Sequence, residues 1–161
     1  MSPNRQKVRQ FSARAGVLAG VAVAVLVGMG GPATAVPDDP AVPFTPTLTR
    51  VPGGNCAAII DAQTVPQPGS GQFGVRVKIT QTGQLCGGYR VAVRWHNVDS
   101  GYSDGQSQHV DANGVIDAPD GIITGMGTAP GAGRVEAKII TTYEDGREME
   151  YVAGTATFTL A

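Results

Sequence analysis

Strict alternation of apolar and polar side chains constrains this chain more than any other feature. "FGVRVKIT" puts Phe73, Val75, Val77 and Ile79 on one side and Arg76, Lys78 and Thr80 on the other. "YRVAVRWHNV" repeats the pattern, with Tyr89, Val91, Val93 and Trp95 against Arg90, Arg94 and His96. A period of two held over such runs is that of a half-buried strand, because successive side chains of extended backbone point to opposite faces. Between the runs lie glycine-rich breaks, "PQPGSGQ", "QTGQLCGG", "VDANG", "APGAG" and "YEDGRE". No window combines helix formers at a 3.6 period with a cap. The expected class is all-β.

Turn residues then suggest pairings. Asp145-Gly146 read as a two-residue turn sets Glu144 opposite Arg147, Ile139 opposite Val152 and Val135 opposite Ala156. The same face runs on to Phe158 and Leu160, while Thr155, Thr157 and Thr159 point away. Asn113-Gly114 marks a second hairpin in "SQHVDANGVID". Together with "NCAAIIDAQTV" and "GIITGMG", these segments predict seven or eight short strands. That number suggests a small two-sheet antiparallel sandwich, immunoglobulin-like in shape, with a small closed barrel as the alternative.

The N-terminus sets the compartment. "MSPNRQKVRQFSAR" carries Arg5, Lys7, Arg9 and Arg14 and no acid, and an uncharged run follows from Ala15 to Gly31. Ala33 and Ala35 then form a small-x-small exit, so residues 1–35 are expected to be a secretory signal peptide cut after Ala35. A retained single-span anchor is the alternative. Adjacent arginines and an exit cysteine are both missing, which disfavours the twin-arginine route and lipid anchoring. The Gly/Ala/Val-rich leader and the lack of Asn-x-Ser/Thr point to bacterial export. No stable membrane insertion is expected once the leader is gone.

Beyond Ala35 the chain keeps eight of its 12 basic residues and all 13 acids. A domain with that acidic excess does not seek nucleic-acid phosphates, so a protein or envelope component is the expected partner. Residues 36–53 hold five prolines and read as an extended spacer, or over "FTPTLTR" as a first edge strand. Residues 54–161 form the single expected domain.

Cys56 and Cys86 are the only thiols, and export favours their pairing in a disulfide. Closing that loop is worth about 3–4 kcal/mol in the chain-entropy picture. The rival expectation, a nucleophilic Cys86 assisted by histidine, would have been favoured by a single free cysteine.

"VRWHNVDSGYSDGQSQHVD" collects the one tryptophan and both histidines. By parity Trp95 belongs to the core, while Trp95, Asp99, Tyr102 and Asp104 are the candidates for a ligand-contact loop. A hydrolase using His96 or His109 would draw on Ser100, Ser103, Asp99 or Asp104, but no nucleophile-elbow motif is present. Asp111, Asn113, Asp117 and Asp120 offer oxygen ligands for calcium, although the spacing lacks a closing glutamate and the same residues serve tight turns. Zinc lacks a ligand set, and no cofactor is expected. Trp95, Tyr102, Tyr143 and Tyr151 are the few aromatics available to stack on sugar. Three functions from different classes follow. The first is an exported module acting by binding or by structural presence at the envelope. The second is a carrier of an apolar ligand in a cavity lined by Val93, Trp95, Ile139 and Phe158. The third is the hydrolase.

Overall fold

The computed structural model describes residues 40–124 and 130–161. The leader expected over residues 1–35 lies outside the described residues. Among the described residues nine strands run in chain order: β1 Thr47–Val51, β2 Cys56–Pro66, β3 Phe73–Thr82, β4 Tyr89–Asn97, β5 Ser103–Val110, β6 Ile122–Thr124, β7 Gly133–Thr142, β8 Tyr151–Val152 and β9 Gly154–Leu160. Antiparallel pairing gathers them into a five-stranded sheet, β6-β3-β2-β1-β8, and a four-stranded sheet, β5-β4-β7-β9. No ladder joins the two sheets, so the architecture is a sandwich and not a closed barrel. Among the described residues no helix is long and apolar enough to cross a membrane.

The alternation works as the sequence implies. Tyr89, Val91, Val93 and Trp95 are buried along β4, as are Phe73, Val75 and Val77 along β3. Phe73 meets Trp95 and Phe158 edge-on, with ring centroids 5.5 and 4.8 Å apart. One polar pair spans the core between the sheets: the hydroxyls of Thr49 and Thr141 lie 2.7 Å apart in a buried hydrogen bond.

The N-terminal boundary differs from the expected one. Phe44 is buried in the core and its N–H donates to Ala62 O, while Pro43 bridges to Gln63. β1 pairs with β2 on one side and β8 on the other, so it is an interior strand. The sequence offers this segment as an edge strand at most, because its inward residues are Thr47, Thr49 and Val51, not a run of large aliphatics.

The terminal hairpin also departs from its expected register. Ile139 faces Gly154 and Val135 faces Phe158, a shift of two residues from the expected pairs. The turn has three residues: Tyr143 N–H donates to Arg147 O and Gly146 N–H to Tyr143 O. Gly146 takes φ +87° as its last residue, the left-handed position of such loops. The chain then leaves the four-stranded sheet, pairs Tyr151 with Thr49 and Val152 with Leu48, and returns as β9. A shift of two keeps parity, so Val135, Ile139, Phe158 and Leu160 are buried while Thr155, Thr157 and Thr159 face solvent.

Candidate functional site

The polar face of the four-stranded sheet holds the richest set of chemical groups. Its rows follow from the register. Ser103, His96 and Glu136 stand side by side across β5, β4 and β7, and Thr157 on β9 pairs with Glu136. The next row is Gly105, Arg94, Lys138 and Thr155. These residues line an open groove of about 750 Å3. Gly105 contributes no side chain, and the Arg94 stem lies close to it: a Cβ there would come 3.1 Å from Arg94 Cγ.

Arg94 and Lys138 oppose each other directly in the ladder, an arrangement that repels. Neither has an ion-pair partner among the described residues, where the four ion pairs involve Arg50, Arg90, His109 and Arg147. Glu136 stands across from His96 and forms no ion pair with it.

His96 Nδ1 and Ser103 Oγ are hydrogen-bonded at 2.8 Å. The hydrolase alternative thus has its Ser–His contact, but the rest of that machinery is not assembled around it. Among the described residues no third group holds the imidazole, as a nucleophile's base requires. His109 is engaged elsewhere. Its Nδ1 lies 2.7 Å from Glu144 Oε1, and Glu144 also meets Arg90 at 3.7 Å.

The other sequence candidates have mostly architectural surroundings. Trp95 is buried, and its indole N–H finds no acceptor among the described residues. Asp99 Oδ2 accepts Arg134 N–H at 2.8 Å, fixing the start of β7 beside the β4–β5 loop. Tyr102, 40% exposed at the sheet edge, donates its hydroxyl to Asp104 Oδ2 at 2.9 Å. That bond holds the Tyr102 phenol above its usual range. Asp104 Oδ1 accepts Gly105 N–H at 2.7 Å. Asp111 Oδ1 accepts the N–H groups of Asn113 and Val115, both at 2.8 Å, which closes the turn and holds the Asp111 carboxyl below its usual range. Asp117 and Asp120 are exposed on the following segment. Among the described residues no group of three His, Cys, Asp or Glu is placed to hold a metal.

Cys56 and Cys86 form the disulfide, with Cα atoms 5.7 Å apart. It ties the start of β2 to the β3–β4 connection and does not cross the core. The closed bridge is compatible with an extracytoplasmic protein.

Val93, Trp95, Ile139 and Phe158, the residues the carrier alternative assigns to a cavity wall, are all buried. A cleft of about 140 Å3 lies at the sandwich end near Val42, Phe73 and Phe158. That is close to the space known to hold one benzene ring.

Two residues central to this region escaped the sequence. Asn97 is fully buried; its Nδ2 donates to Pro130 O at 2.8 Å and Ala132 O at 3.0 Å, and its Oδ1 accepts from Asp99 and Ser100. Lys138 joins the groove only through the β4–β7 pairing, which local periodicity does not specify. No family model, curated protein or solved structure matches the chain.

Proposed function

We propose that the protein is an exported β-sandwich that works by binding, and that the groove on its four-stranded sheet takes an anionic polysaccharide. The observation that carries this reading is the side-by-side placement of Arg94 and Lys138, neither of which has an ion-pair partner among the described residues. Two like charges in register destabilise a sheet, and an anion between them turns that repulsion into attraction. The rest of the groove offers hydroxyls and two carboxylates, from Ser103, Thr155, Thr157, Asp104 and Glu136. Such a lining suits a ligand that carries both acid groups and hydroxyls. It suits a peptide less well, because the groove floor has no apolar pocket for side chains and its backbone groups are turned into the ladder.

Titration calorimetry with polygalacturonate, using neutral dextran as control, tests the reading. Binding to the acidic glycan alone is expected, weakening with salt as screening removes the charge attraction. Replacing Arg94 and Lys138 together by glutamine is expected to lower affinity at least about tenfold, since charge-assisted bonds are the strong ones. Equal binding of both glycans, or none, would remove the acidic-glycan assignment.

A further inference from the structure

The opposite face of the sandwich carries a feature that a solvated sheet does not need. Val152, Leu48 and Ile59 lie in one row across β8, β1 and β2. They are 63%, 48% and 45% exposed. On the four-stranded sheet the equivalent outward rows are occupied by Ser, His, Glu, Arg, Lys and Thr. Here three aliphatic side chains in register floor a shallow depression of about 490 Å3. Contiguous exposed aliphatics rimmed by polar groups mark a surface that is covered in use.

The charges beside this row indicate what covers it. On one side Arg50 pairs with Glu150 at 3.3 Å. On the other, Asp61 opposes Lys78 in the ladder. A two-fold axis laid along the apolar row stacks it on itself and reverses strand direction between copies. The row holding Arg50 then faces the row holding Asp61 of the second copy, offset by one strand, about 4.8 Å, within reach of a guanidinium. A two-fold axis along the strands, set between β8 and β1, would bring Arg50 to Glu150 of the second copy, the partner it already has within its own chain. We infer that this face is where two copies of the chain pair, with Leu48 and Ile59 at the centre and Arg50 reaching Asp61 of the other copy. Isologous pairing of one patch on itself is the commonest route to a soluble dimer. This inference is independent of the groove, which lies on the other sheet.

Sedimentation equilibrium of protein expressed as the full chain, from about 1 to about 200 µM, reads the association directly. A monomer–dimer equilibrium is expected, and Leu48→Thr with Ile59→Thr should weaken it at least about tenfold, as central apolar contacts dominate such interfaces. Threonine keeps strand propensity at both exposed positions, and circular dichroism with thermal unfolding checks that the variant folds. Arg50→Glu should also weaken the dimer, and adding Asp61→Arg should restore it. Strict monomer across the range, a dimer indifferent to the Leu48/Ile59 change, or failure of the charge swap to restore association would overturn the inference.

Discussion

Tyr89 is the residue whose chemistry is least at ease with its position. It is fully buried, and its hydroxyl has no hydrogen-bond partner among the described residues. Burial pushes the phenol from 10.0 up to about 12. The sign of the consequence is fixed. Below pH 10 both folded and unfolded chains keep the proton, and between about pH 10 and pH 12 only the unfolded chain releases it. Stability therefore falls with rising pH across that window. Tyr89→Phe is expected to remove Tyr89's share of this alkaline loss and to raise stability by about 1 kcal/mol at neutral pH, because it deletes an orphaned polar group. Urea unfolding of both proteins at pH 7 and pH 11 checks both effects. That Tyr89 and Trp95 are core residues was legible from their parity with Val91 and Val93. Their missing partners were not, because local periodicity assigns a face but does not identify the acceptors that two folded sheets bring within reach. Leu85 makes the same point from outside. It is 97% exposed at φ +55°, in the left-handed region that leucine rarely enters, and nothing in "QTGQLCGG" distinguishes it from an ordinary loop residue.

The strands themselves were largely visible, and their partners were visible only in part. β3 and β4 follow from alternation, and β7 and β9 from alternation plus a turn. The excursion through β8 was invisible because a two-residue strand has no period to detect. Its existence depends on a crossing at Gly154, whose N–H donates to Thr47 Oγ1 at 2.9 Å. A Cβ at Gly154 would strike Thr45 O and come 2.7 Å from Thr47 Oγ1. Gly154→Ala is thus expected to destabilise by more than about 2 kcal/mol through strain at the crossing, measurable as a lowered urea midpoint with an unchanged slope. A slope change would mean that the return of β9 had come apart. β5 shows a different kind of element-level device. It is a long edge strand, yet Asp104 takes the Gly105 N–H, Arg90 donates to Ser107 O and Asp117 N–H to His109 O. With these groups engaged, the edge offers a poor template for pairing with another chain.

For the molecule as a whole, alternation and cysteine count led to the right class and the right covalent link, since two cysteines admit one bridge. Replacing Cys56 and Cys86 by alanine is expected to lower stability by about 3–4 kcal/mol, the entropy of freeing the loop in the unfolded chain. Comparing urea midpoints of the variant and the parent tests that figure, and an effect below about 1 kcal/mol would show that the bridge constrains little. The candidate groove was legible only in half. His96 and Ser103 stood out within one stretch, but Arg94 was legible there only as an outward strand residue, and Lys138, Glu136, Thr155 and Thr157 reach them through long-range pairing of β4, β7 and β9. The two outer faces carry opposite characters, one charged and hydroxylated, the other aliphatic. If copies join through the aliphatic face, each dimer turns its two grooves away from one another. Such a particle cannot hold two neighbouring stretches of a stiff polymer with both sites, so it bridges separate strands. On a surface bearing many such strands, that bivalence strengthens attachment by about 10²–10⁴ without a single added contact, and a weak groove becomes a cross-linker.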